Sequence, residues 1–249
     1  PAYIKFGQIL STRPDVVGDE LAAQLRVLQD KLPPFPMEEA QRMIEAELEQ
    51  PLTSIFQNFS APVAAASIAQ VHRAKLVSNG EDVAVKVLRP GIENAFRKDI
   101  DAFYFAARMV EVLAPGARRL RPLDVIAHFE GVVLGELDLR LESSAAGEFA
   151  TNTNSDEGFQ LPQINWSLSG KNVMTMDWAE GIPAGDNAAL DAVGHDRRQI
   201  SERILQLFLS HALRDGFFHA DLHQGNIKIA ANGDVIAYDF GIMGRIDEY

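Results

Sequence analysis

Eight consecutive residues, His219-Ala220-Asp221-Leu222-His223-Gln224-Gly225-Asn226, followed by Asp239-Phe240-Gly241, constrain this chain more than anything else in it. Asp221 and Asn226 lie five apart, and Asp239 stands eighteen residues beyond Asp221. Two carboxylates and one amide are hard oxygen donors. Such groups hold magnesium against nucleotide phosphates while one carboxylate orients an attacking hydroxyl. Either half alone is weak, because Asp, Asn and Gly are favoured in turns for backbone reasons. At this spacing, with strand-like runs at 227–230 and 235–238 between them, the two halves together outweigh turn formation.

Lys86 stands in Val83-Ala84-Val85-Lys86-Val87, a cation inside an apolar strand. A buried ammonium needs an anionic partner, which phosphates and a helix carboxylate can supply; the plain alternative is a lysine snorkelling from an edge strand. Ala64-Ala65-Ala66-Ser67 stands where a glycine-rich phosphate loop would be expected, and alanine does not readily take the positive φ that such a loop uses. Any cover over the phosphates is therefore of another kind.

The early residues read as helices. Leu21, Leu25, Leu28 and Leu32 recur at helical spacing from Asp19 until Pro33, Pro34 and Pro36 block continuation, and a second helix is expected over 37–50. Runs at 71–77 and 83–88 around Ser78-Asn79-Gly80-Glu81 predict a hairpin. Two long helices are expected at 91–113 and 123–149, the second carrying Glu136, Asp138 and Glu142; such acids ordinarily face solvent. A strand near 172–178 leads to a candidate adenine-side hinge over 177–181, with Asp177 and Trp178 at its start, although any apolar strand ending in a turn would read alike. A last helix is expected over 196–214.

This order predicts an α+β architecture with a small sheet-bearing lobe and a larger helical one. Residues 1–50 are expected to form a helical extension, 51–180 a nucleotide-binding lobe with inserted helices, and 181–249 the start of the helical lobe. The chain begins at Pro1 and stops at Tyr249, soon after a motif that ordinarily sits mid-domain, and is read as a fragment.

Composition removes several classes. With 23 basic against 35 acidic residues, the net charge of −12 opposes nucleic acid and anionic surfaces, so no nucleic-acid partner is expected. There is no cysteine, hence no disulfide, thiolate metal site or cysteine nucleophile. His219 and His223, without cysteine or a third ligand, are read as loop-fixing groups and not as metal ligands. No run of 18 apolar residues and no export signal is present, so the fragment itself is expected to be soluble.

Residues 64–67, Lys5-Phe6-Gly7-Gln8, Glu136-Leu137-Asp138, Lys86 and the two segments at 219–226 and 239–241 together resemble the UbiB/ADCK family of atypical kinases, over a span from Lys5 to Gly241. Two departures stand out: Leu222 and Gln224 occupy positions where the family commonly has proline, which alters loop stiffness and removes no ligand. The 219–226 segment is also similar to aminoglycoside phosphotransferases, from which Lys5 to Gln8 separate it.

The resemblance implies a two-lobe protein-kinase-like fold with an N-terminal helical extension packed over the substrate site. It implies ATP and Mg²⁺ as cofactors, with Asp221, Lys86, Glu142, Lys5 and Gln8 at the reaction centre. Ala64, Ala65, Ala66, Ser67, Lys86, Glu136, Asp138, Asp177 and Trp178 would surround the nucleotide, and Asn226 and Asp239 would hold the metal. It further implies support of ubiquinone biosynthesis, prenyl-quinone precursors and other ubiquinone-biosynthesis proteins as partners, and residence at the cytoplasmic face of a bacterial inner membrane through parts outside this fragment. A small-molecule phosphotransferase of the aminoglycoside or choline type, with no role for Lys5 or Gln8, and a non-catalytic ATP-binding scaffold are the alternatives. The phosphate acceptor is open.

Overall fold

The Ser78-Asn79-Gly80-Glu81 turn closes because Gly80 supplies φ 78°, while Asn79 accepts from the Glu81 amide and Gly80 donates to the Leu76 carbonyl. The structure is a computed structural model that describes residues 2–11, 18–25 and 33–246. The turn joins β3 (Ala69–Leu76) to β4 (Asp82–Leu88), with Val71 opposite Lys86. Strand β6 (Val173–Asp177) pairs along the other edge of β4, placing Met174 opposite Lys86. Strands β1 (Phe56–Gln57) and β2 (Pro62–Ala65) both pair with β3, so this sheet is antiparallel throughout.

Alternation decides what each face of β4 meets. Val83, Val85 and Val87 pack with Val173 under Ile44 of the helix α3 (Met37–Leu48). Ala84 and Leu88, flanking Lys86 on the opposite face, join Met174, Met176, Phe149 and Phe240 in the main core. Helix α3 follows the short α1 (Ala2–Ser11) and α2 (Asp19–Leu25). Helix α3 docks on the sheet, where Glu47 accepts from Lys171 N at 2.5 Å and Asn172 Nδ2 at 2.7 Å. The helix expected to run to Leu32 reaches Leu25; residues 26–32 lie outside the described residues.

The next helix, α5 (Ile92–Leu113), comes after the four-residue α4 (Leu52–Ile55) and matches its expected bounds closely. The single helix expected over 123–149 is a correction: it is two, α6 (Pro122–Glu136) and α7 (Leu139–Asn152). At the break the Asp138 side chain accepts from Arg140 N, capping a new helix, and Leu139 N bonds to Lys171 O instead of to a carbonyl one turn back. Asp138 therefore stands before α7 as its cap, and Glu136 and Glu142 lie on different helices. Helix α1 rests on α5 and α6 through Phe6, whose ring lies 5.0 Å from both Phe103 and Phe129.

After residue 158 the chain builds a second sheet in the order β5 (Phe159–Gln160), β10 (Val235–Ala237), β9 (Ile227–Ile229), β7 (Ile182–Pro183). Its core of Leu190, Ile227, Ile229 and Val235 is completed by α8 (Asn187–Ala192) and by Leu207 of α9 (Arg197–Ser210). The last expected helix is α-helical only to Ser210; a π turn, His211–Asp215, carries it to Gly216. There β8 (Phe217–His219) pairs with β11 (Met243–Arg245), setting His219 opposite Met243.

Candidate active site

Lys86 leaves β4 on the main-core face and meets Glu142, one turn into α7. Its Nζ lies 2.6 and 2.9 Å from the two Glu142 carboxylate oxygens and 3.6 Å from Asp239 Oδ1. The Lys86 and Glu142 side chains are 16% and 9% exposed, and Asp239 is 45% exposed, so the cluster is closed behind and open on the Asp239 side. Burial alone would push the Lys86 ammonium down, but Asp239 and Glu142 more than offset it and hold it above the usual lysine range. Lys86 holds Asp239 below the usual carboxylate range, while burial pushes Glu142 up. One cation between two carboxylates favours ionisation of the more open one.

Asp239 follows β10 at its C-terminal end. The buried Phe240 ring beside it packs against Phe149 of α7, and Asp239 Oδ1 accepts from Gly241 N at 3.2 Å. The other half of the motif is tied to it directly. His219 Nε2 donates to the Asp239 carbonyl and its Nδ1 accepts from Asp221 N at 3.2 Å, one tautomer serving both bonds. Asn226 Nδ2 donates to Asp221 O at 3.0 Å, so the amide oxygen is the atom Asn226 can offer outward. Tyr238 closes the loop by donating to the Gly225 carbonyl, and His223 Nδ1 accepts from Gly225 N. Both histidines thus fix the loop backbone. The Asp221 carboxylate is 48% exposed.

Among the described residues no group of three His, Asp or Glu side chains could hold a metal ion alone. The Asn226 amide oxygen and the Asp239 carboxylate are the donors on offer. Magnesium keeps several waters and takes phosphate oxygens, so two protein oxygens suit it and a full protein cage is not required. Residues 64–67 contain no positive φ; Ala66 N donates to Ala69 O, and Arg89 donates to Ala66 O from Nε and Nη2. The four-residue loop expected here is shorter: Ala64 and Ala65 end strand β2, and Ala66 and Ser67 make the connection to β3.

The acids at 136 and 138 part company. Glu136 meets Lys5 Nζ of α1 at 2.7 Å, whereas Asp138 is taken by Arg140 at 2.6 Å. Gln8 lies on α1, and its side chain is outside the described residues. Asp177 Oδ2 accepts from Gln163 N, and Trp178 sits 4.7 Å from both the Arg73 guanidinium and Lys228 Nζ. Lys228 donates to Ala179 O at 2.7 Å and lies 5.5 Å from the Tyr238 ring, tying residues 178–179 to β9 and to the end of β10. Sequence reading missed Lys228 and Arg89. Lys228 had the same signal as Lys86, a cation within an apolar strand, Ile227-Lys228-Ile229.

A family model described as the ABC1 atypical kinase-like domain matches residues 27–249. The chain belongs to the ABC1 atypical kinase-like family. Its curated relatives include a "Probable protein kinase UbiB" of Marinobacter nauticus, 41% identical over 99% of this chain and 46% of the relative. A protein of the same name from Shewanella baltica is 42% identical over 100% of the chain and 46% of the relative. This ABC1 chain therefore spans about half the length of the curated relatives it matches. Among solved structures, a Mycobacterium tuberculosis protein described as the Rv3197–erythromycin complex superposes with a TM-score of 0.70 at 30% identity, over 96% of this chain and 60% of that one. No helix among the described residues is long and apolar enough to cross a membrane.

Proposed function

We propose that this ABC1 domain is the nucleotide-binding part of an ATP- and Mg²⁺-dependent atypical kinase or ATPase that supports ubiquinone biosynthesis. The observation that carries the reading is the Lys86–Glu142–Asp239 cluster bonded through His219 to the Asp221–Asn226 loop. Lys86, kept charged and aimed by Glu142, neutralises nucleotide phosphates. Asn226 and Asp239 offer the oxygens for Mg²⁺, which when bound screens the phosphate charge. Asp221, half-exposed on a loop fixed by backbone bonds, orients the acceptor hydroxyl or water and takes its proton.

The helical extension distinguishes this reading from a soluble small-molecule phosphotransferase. Lys5 pairs with Glu136 at the end of α6, which ties the extension to the helix that precedes α7 and Glu142 and supports a part for it beside the site. The name UbiB, shared by the two bacterial relatives, directs the substrate class toward ubiquinone biosynthesis, and membrane contact is assigned to segments other than those described. In the complete protein, Mg²⁺-dependent ATP hydrolysis is expected. It should fall at least 100-fold in Asp239→Asn, change in Lys5→Ala, and rise with a quinone-precursor-like phenol. ATP binding without hydrolysis under any of these conditions would replace the enzyme reading by the scaffold one; unaltered hydrolysis in Lys5→Ala would move it to the small-molecule phosphotransferase class.

A further inference from the structure

Arg89 is the last residue before the Pro90-Gly91 break that starts α5, and its side chain bonds to two segments distant in the sequence. Its guanidinium donates from Nε and Nη2 to Ala66 O at 3.1 and 3.0 Å and from Nη2 to Pro33 O at 2.9 Å, and lies 5.7 Å from the Phe35 ring. Its own amide donates to Ile68 O at 2.8 Å. One side chain thus joins the Ala-rich loop to the arm, residues 33–35, that leads into α3.

The arm is held from the other side as well. Gln70, fully buried and opposite Ala65 in the hairpin, accepts from Phe35 N at 3.0 Å and donates to Phe35 O at 3.4 Å. It also lies 2.9 Å from His72 Nε2, and His72 Nδ1 lies 2.8 Å from Ser60 O. With Gln70 donating to Nε2, Nδ1 carries the proton to Ser60 O and every polar atom of the chain of contacts is satisfied. Three prolines, at 33, 34 and 36, stiffen the arm on both sides of Phe35. A stiff arm gripped by a buried glutamine is a firm support, and Arg89 transfers that support to Ala66.

We propose that Arg89 is a positioning residue for the nucleotide: it fixes the loop of residues 64–67 against the arm, so that nucleotide affinity depends on how the arm is seated. This rests on the reading of that loop as the nucleotide cover. Ala64 and Ala65 are held by their pairing with β3 and Ala66 N by Ala69 O, and Arg89 is the side chain that ties the Ala66 carbonyl to the arm.

The test is titration of the complete protein with a fluorescent ATP analogue in Mg²⁺, with steady-state hydrolysis alongside. In Arg89→Met, loss of the bonds to Ala66 should weaken nucleotide binding and raise KM about three- to tenfold, with kcat within about twofold. Arg89→Lys, which keeps one donor group, should fall between, and carries the test if Arg89→Met does not fold. A structural role alone would lower melting temperature and active fraction but leave Kd and KM unmoved, and that result overturns the proposal. Phe35→Ala should weaken binding on its own and add little in the Arg89→Met background. Independent, additive losses would separate arm from loop and overturn the coupling. Absence of Mg²⁺-ATP binding in the unaltered protein would sink the site reading and this proposal with it; binding that is lost in Asp239→Asn but unchanged in both Arg89 variants would sink this proposal alone.

Discussion

At the scale of single residues, the Lys86–Glu142 pair combines burial with short distance, and that combination fixes what its removal should do. A charge left behind in a closed site costs far more than an exposed pair contributes. Glu142→Ala is expected to lower stability by about 3 kcal/mol in urea unfolding. Replacing both partners, Lys86→Met with Glu142→Leu, should cost less than the two single changes summed, because neither member of the pair is left enclosed without the other.

A second buried acid, Asp156, gives a pH dependence outside the site. It lies 2.7 Å from Arg214 and 3.0 Å from His211. Bonds from Arg214 hold its pKa below the usual range, and burial lowers that of His211. Both folded values lie under the unfolded ones, so both contributions are complete at neutral pH and are lost on acidification. His211 acts from about pH 6.5 downward and Asp156 from about pH 4 downward. Asp156→Asn should cost about 2 kcal/mol at pH 7 and progressively less as pH falls below about 4, as unfolding midpoints across that range will tell. Asp221, Asn226 and Asp239 were legible in the sequence because they stand at short, fixed spacings, five and then eighteen residues from Asp221. Arg89 and Gln70 were not, since their partners lie 23 and 35 residues away and no spacing announces them.

At the scale of elements, hairpin β3–β4 and helix α5 could be read from alternation, turn residues and the Pro-Gly break. The split between α6 and α7 could not, because helical periodicity continues through Leu137 and Leu139 and only the tertiary bond from Leu139 N to Lys171 O reveals the break. That split sets the direction of α7 and so of Glu142. Asp138→Ala should remove the cap, lower stability by about 1 kcal/mol and the melting temperature by about 2–4 °C, and raise KM for ATP by loosening the first turn of α7. A normal KM with a lowered melting temperature would confine Asp138 to a structural part.

At the scale of the whole molecule, Lys86 comes from one sheet and Asp239 from the end of the other. A ligand held by both should therefore stabilise the entire described body. Saturating Mg²⁺-ATP at a hundred times Kd is expected to add about 2.7 kcal/mol, read as a rise in melting temperature that Asp239→Asn abolishes. The small late sheet was only half visible beforehand: β9 and β10 have clear apolar runs, whereas β5 and β7 are two residues long and exist through their partners.

Strand β4 carries the valines for α3 on one face and Lys86 on the other, so the ammonium reaches the site only while its position keeps the right parity. Inserting one residue within β4 ahead of Lys86 would turn the charge into the apolar seam beneath Ile44; inserting two would restore its side of the sheet. In a lineage carrying this domain, changes of length upstream in that strand are tolerable in even steps only, a constraint on gene history imposed by the pleat of a seven-residue strand.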